Sequence, residues 1–191
     1  MCRRRIEPFL ALAYAAVALL ALFGSVQASD WNVVAATSWL GFTGSAAGAP
    51  FDGRFSRWQA RISFDPAKAE QGHAVVTVDM KSAATGDAQK DQALPQAGWF
   101  DAASFPKATL EVQSFRPKGG KDYDAVGTLS MRNVTKAIVM PMTIEVSGDT
   151  LHAKGNLDLI RTDFGVGQAT GAQWVALAVV ASFDVTAERL P

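Results

Sequence analysis

A two-residue hydrophobic period constrains this chain more than any other feature, because it places every second side chain on one face of a pleated strand. In residues 137–146, Ile138, Met140, Met142, Ile144 and Val146 share one face, with Thr143 and Glu145 on the other. The same pattern sets Val76, Val78 and Met80 against Thr77 and Asp79, and Leu110 and Val112 against Glu111 and Gln113. Leu151, Leu157 and Leu159 oppose His152, Lys154, Asn156 and Asp158. Trp58, Ala60, Ile62 and Phe64 oppose Arg57, Gln59, Arg61 and Ser63, and Leu129 with Met131 opposes Thr128 with Ser130. Each run has one dry face and one wet face, as in an antiparallel sheet over a core.

Turn residues punctuate these runs: Asp52-Gly53, Asp65-Pro66, Lys118-Gly119-Gly120-Lys121, Ser147-Gly148-Asp149 and the glycine-rich residues 165–171. Runs of about ten residues between such signals predict an all-β domain joined by hairpins. Residues 87–98 depart from the pattern, and Ala88 to Leu94 predict a short helical segment ending near Pro95. The count is eight strands, or nine if residues 33–36 and 40–44 are separate.

Eight strands with one apolar face close as a sandwich or as a barrel, and a barrel removes the exposed edges that invite aggregation. At that size the interior is either filled by side chains or holds one small ligand. The inward set mixes Met80, Met131, Met140 and Met142 with Phe42, Phe64 and Phe105. Methionine adapts its shape to varied apolar partners, which suits an accommodating pocket. The same residues also make an ordinary packed core, and alternation alone leaves both readings open.

The N-terminus is a different polymer. Arg3, Arg4 and Arg5 precede an uncharged apolar run over residues 9–23, and Val26 and Ala28 are small residues two apart. That is the layout of a secretory signal peptide, cleaved after Ala28, since a spanning helix needs about 20 apolar residues. Residues 1–28 are therefore expected to be removed, leaving a single domain over residues 29–191. The full chain carries 18 basic and 18 acidic residues; the exported part keeps 15 and 17, a formal charge of −2. No basic excess is present to attract nucleic acid. The one cysteine, Cys2, leaves with the leader, so the domain is expected to use no disulfide, thiolate nucleophile or thiolate-bound metal.

Several stretches, in order and spacing, resemble the YceI-like, polyisoprenoid-binding proteins across essentially the whole exported chain. They are Ser38-Trp39-Leu40-Gly41-Phe42, Pro50 to Phe55, Ile62 to Pro66, Trp99-Phe100-Asp101 with Phe105-Pro106-Lys107-Ala108, residues 127–139 (GTLSMRNVTKAIV) and Arg161 to Gly167. The resemblance implies a lipocalin-like antiparallel barrel, exported to the periplasm and holding a long isoprenoid or quinone-like lipid. Residues 82–87 and 161–168 look most like a branch related to domains fused to inner-membrane b-type cytochromes, which implies such cytochromes or quinone-handling proteins as partners. In one departure, many relatives carry Asp and His where this chain has Val34 and Thr37. Any polar contact made by that pair does not transfer.

The ligand-lining set expected on this reading is Phe42, Phe64, Val78, Met80, Phe105, Leu110, Leu129, Met131, Met140, Met142, Leu159 and Phe164, with Arg161 and Trp174 near one end. Alternation places Arg161 on the face of Leu157 and Leu159, aiming a permanent charge inward. It either contacts a pyrophosphate or quinone oxygen, or clamps the barrel through Asp163 or backbone. Phe164 and Trp174 are expected to wall that end. Other motifs fail on context. Gly165-Val166-Gly167 precedes a strand-like run rather than a helix, His73 and His152 form no metal-spaced cluster, and no Gly-x-Ser-x-Gly elbow occurs. A catalytic site, a metal and a cofactor other than the bound lipid are not expected. The alternatives carried forward are a packed structural or stress-response module and, behind it, a lipid-acting enzyme; a homodimer covering an open barrel end is also consistent with the sequence.

Overall fold

Two adjacent left-handed residues, Arg132 (φ 50°) and Asn133 (φ 61°), make a two-residue turn. Positive φ at both central positions is the requirement of the two-residue hairpin turn whose twist matches its flanking strands. In the computed structural model, which describes residues 29–191, this turn joins β8 (Asp122–Met131) to β9 (Val134–Ser147). The signal-peptide reading of residues 1–28 lies outside the described residues. The remaining strands are β1 (Asp30–Val33), β2 (Trp39–Ala46), β3 (Ala49–Phe55), β4 (Trp58–Ser63), β5 (His73–Asp79), β6 (Ala83–Ala84), β7 (Lys107–Gly119), β10 (Thr150–Ile160) and β11 (Ala178–Arg189).

Eight of these close on themselves in the order β1-β4-β5-β7-β8-β9-β10-β11, every neighbour antiparallel. Short β1 makes the closure, pairing Trp31 with Ile62 of β4 on one side and with Arg189 of β11 on the other. The barrel expected from eight alternating runs is present, and three further short or edge strands extend it. β2 leaves β1 after a 3-10 turn at Ala35–Thr37 and runs on along β11, then β3 pairs with β2 and β6 with β3.

Ser38 sits at that break. Its hydroxyl donates to the Thr186 carbonyl at 3.2 Å and accepts from the Thr186 N–H at 3.0 Å. The Thr186 carbonyl also accepts from the Val34 N–H at 2.9 Å, so the side chain supplies the partner that the Thr186 N–H would otherwise lack. Asp52-Gly53, expected as a turn, lies instead inside β3, where a Cβ on Gly53 would enter the Phe42 ring. The glycine is there for close ring approach, not for chain reversal. The helical segment expected over residues 87–98 is a single α-helix, α1 (Ala88–Ala93), capped by Asp87, whose carboxylate accepts from the Gln89 and Lys90 N–H groups at 2.9 and 3.2 Å. Pro95 prevents it from continuing.

The barrel's two ends are built differently. At one, Phe64 packs edge-on against Phe115 and Tyr123 with ring centroids 5.2 and 5.5 Å apart, and the Trp31 indole N–H donates to the Phe64 carbonyl at 2.9 Å. The 3-10 segment Pro66–Gln71 folds over this end and buries Ala69. At the other end, Phe42, Phe55 and Phe100 pack against one another in tilted and edge-on contacts, and the crossing segments 85–106 and 161–177 lie over the opening.

Candidate functional site

Inward alternation along the strands leaves a lumen in two chambers. The upper one, of about 170 Å³, lies toward the Phe42 end, and the lower, of about 90 Å³, toward the Phe64 end. Leu40, Val76, Leu110, Met140 and Phe183 line both, so five side chains form the partition. Lining atoms are almost wholly apolar, so a water inside would lack the two to four partners it needs.

Phe42, Val78, Met80, Leu129, Met131, Leu159, Arg161 and Phe164 line the upper chamber, Phe64 and Met142 the lower, and Leu110 and Met140 both. Phe105 and Trp174 line neither. Phe105 precedes the first residue of β7, so strand alternation does not govern it; its ring lies on the outer side, under the Arg132 guanidinium at 5.9 Å. Trp174 belongs to a loop and is 65% exposed, its carbonyl accepting from the Ala47 N–H at 2.7 Å. The upper chamber also takes Leu94, Trp99 and Phe100 from the crossing segment and Phe51 and Phe55 from β3. Periodicity gives no signal for Leu94, Trp99 and Phe100, whose segment does not alternate, and an uncharged Trp99-Phe100 pair just after Pro95 is the one hint there; Phe51, Gly53 and Phe55 do alternate with Pro50, Asp52 and Arg54, beneath the turn signal of Asp52-Gly53.

Arg161 holds the mouth together. It is 4% exposed, and each of its five N–H donors meets a backbone carbonyl. Nε donates to Ala176 at 3.0 Å, Nη1 to Val166 at 2.9 Å and to Gly167, and Nη2 to Thr170 at 2.8 Å and Val175 at 2.9 Å. Five donors in a rigid fork thereby fix a loop of eleven residues from 166 to 176, and none is left for a ligand headgroup. Burial lowers the Arg161 pKa, yet a guanidinium stays charged in any protein, so its charge is met by carbonyl dipoles and by the Trp99 ring face at 5.6 Å.

Of the clamps expected for Arg161, the backbone form is the one present. Asp163 turns away to Lys136 at 2.5 Å. That ion pair lies beside a seam in the wall, because β9 pairs with β10 only from Ser147↔Thr150 to Met142↔Gly155 and the pairing stops at Pro141, which has no N–H to give. Arg132 adds a second staple, donating to the carbonyls of Trp99 at 2.6 Å, Ala97 at 3.1 Å and Gly165. The two arginines thus tie the two crossing segments to each other and to the barrel rim.

Among the described lining residues Arg161 is the one ionisable side chain. His152 and Asp184 do meet, at 2.6 Å, but on the outer surface. Among the described residues no group of three or more His, Cys, Asp or Glu could hold a metal. What the lumen offers chemically is burial for an apolar chain.

The YceI-like domain profile matches residues 31–187. A UPF0312 protein of Pseudomonas savastanoi pv. phaseolicola is 31% identical over 96 residues, half of this chain and half of its own, so the chain spans about half the length of the curated relatives it matches. Among solved structures, BcnA of Burkholderia cenocepacia is 31% identical with a TM-score of 0.77, over 81% of this chain and 99% of its own. A polyisoprenoid binding domain from Saccharophagus degradans, implicated in plant cell wall breakdown, is 18% identical with a TM-score of 0.66, over 84% of this chain and 98% of its own, and shares the fold.

Proposed function

The chain belongs to the YceI-like family, and from that premise we propose that it is a non-catalytic carrier that buries the chain of an isoprenoid lipid, polyprenyl or quinone-like, in its barrel lumen. The observation that carries this reading is the two-chamber apolar lumen, left open where the barrel's own side chains do not fill it. Burying one CH₂ is worth about 0.8 kcal/mol, so an isoprene unit offers up to about 4 kcal/mol and three units nominally about 12. Micromolar binding needs about 8, which leaves room for the costs of ordering and association. Four methionines, Met80, Met131, Met140 and Met142, line the lumen and adapt to a bent chain. The polyisoprenoid binding domain from Saccharophagus degradans, which shares the fold, supports the same ligand class.

The arginine at the mouth serves this function by holding the crossing segments closed, not by reading a headgroup. The basic, then apolar, then small-residue order of residues 1–28 supports export to the periplasm. There an inner-membrane b-type cytochrome or another quinone-handling protein is the partner that would supply or receive the lipid. Mass spectrometry of an organic extract of the protein, purified from a host that exports it, tests the proposal. A prenyl-chain lipid at near one equivalent is expected. An extract free of lipid would favour the barrel as an interaction module instead.

A further inference from the structure

Three stretches without any Asp, Glu, Lys or Arg meet at the Phe42 end of the barrel: residues 40–51, 92–100 and 164–183. Backbone hydrogen bonds bring them together. The Ala47 N–H donates to the Trp174 carbonyl at 2.7 Å, Ala176 to Ser45 at 2.9 Å and Gly167 to Gly98 at 2.8 Å. Where they converge, a small apolar recess of about 70 Å³ is lined by Ala46, Phe51, Ala93, Leu94, Trp99 and Val175. Phe51, Leu94, Trp99 and Val175 also line the upper chamber, so the recess continues the lumen toward the surface between the β2–β3 hairpin and helix α1. Lys90 stands at its edge, held by Asp87 at 2.5 Å.

Around this recess the surface is unlike the rest of the barrel. Trp174 is 65% exposed, and Leu177 (39%) and Ile160 (41%) are exposed as well. The hairpin tip Ala47-Gly48-Ala49-Pro50 is exposed and uncharged. A tryptophan with an apolar body and one N–H is the side chain best suited to the boundary between water and hydrocarbon. A rim whose one cation at the recess, Lys90, is already paired with Asp87 loses little ion solvation on meeting that boundary, and small side chains at the tip give a protein partner little to grip. A greasy chain passing from bilayer to lumen through water would expose all the apolar surface that binding is meant to hide. Passage through a seated rim avoids that exposure.

We infer that the lumen loads through this recess and that the largely uncharged rim, its Lys90 already paired with Asp87, seats on the neutral surface of a lipid bilayer, with Trp174 in the interface. The inference rests on the carrier reading above. Retinol, a fluorescent isoprenoid alcohol, is mixed in phosphatidylcholine vesicles with the protein, and its transfer is followed by stopped flow. The rate is expected to rise in proportion to vesicle concentration, as collision requires. Trp174→Glu and Ala49→Glu, both at exposed positions outside the lumen, are each expected to slow transfer at least tenfold while leaving equilibrium uptake unchanged. A wild-type rate independent of vesicle concentration, or Glu variants that transfer at the wild-type rate, would overturn the inference and leave the carrier reading standing. No uptake at equilibrium would overturn both.

Discussion

The Arg161 guanidinium occupies the space in which any residue but glycine at position 167 would carry its Cβ: built there, that atom would lie 2.5 Å from Arg161 Nη1 and 2.9 Å from the Trp99 ring. Gly167 also has φ +63°, where L side chains are rarely found. Chain reversal and close approach to the buried cation therefore make the same demand on one position. Gly167→Ala is expected to cost about 1–3 kcal/mol in urea unfolding, the range for a strained backbone position. An unchanged midpoint would show that the loop yields without loss.

Arg161→Lys keeps the charge but has three donors for five carbonyls and no planar fork. Several of the carbonyls of Val166, Gly167, Thr170, Val175 and Ala176 would lose their partner, at roughly 1–3 kcal/mol for each that stays buried and unmet. Water reaching the loop offsets part of this, so a net loss of about 2–4 kcal/mol is expected. Thermal unfolding followed by circular dichroism measures it. A wild-type melting temperature would mean that the clamp is dispensable.

Met140 stands on the partition between the chambers. Met140→Trp puts the larger ring into the space the lipid would occupy, and overpacking of this kind costs about 1–3 kcal/mol. The variant is expected to remain folded and to lose at least nine-tenths of its extractable lipid, as is Leu129→Trp in the upper chamber. Full retention by both would place the lipid elsewhere.

Acid should loosen the mouth before the barrel. Asp91 accepts from the Thr85 N–H at 2.6 Å, the Thr85 hydroxyl at 2.8 Å and the Gly86 N–H at 3.2 Å, and these bonds, the Thr85 N–H first, hold its carboxyl below its ordinary value. The Lys90 ammonium does the same for Asp87. With folded values below the unfolded one of about 3.9, this stabilisation is fully present above that pH and is lost as pH falls through the lower folded values. Amide exchange over residues 85–94 is expected to be protected at pH 6 and markedly less so near pH 3, with the β7–β8 amides still protected. Asp91→Asn should show the loosening already at pH 6. Equal protection at both pH values would contradict this.

The strands were legible where one face is dry and the other wet. Ile138, Met140 and Ile144 are buried as their alternation requires, and so are Leu151 and Leu157. β3 was hidden by the turn signals Pro50 and Asp52-Gly53, although Phe51, Gly53 and Phe55 share its inner face against exposed Pro50, Asp52 and Arg54. The same limit explains the lining. Residues on alternating strands fell into the lumen, whereas Phe105 and Trp174, which lie outside strands, did not, and Leu94, Trp99 and Phe100 reach it only because the segment after α1 crosses over the mouth. Arg161 was placed correctly on an inward face, but its partners are carbonyls of a loop with no periodic signature, so only the folded chain identifies them.

The claim on which the rest depends is that the lumen is filled by an isoprenoid chain, and a series of isoprenoid alcohols of increasing length tests it most directly. Affinity measured by calorimetry is expected to tighten with each added unit until the two chambers are filled, and then to level off. Affinity that does not change with chain length, or no binding along the whole series, would contradict it.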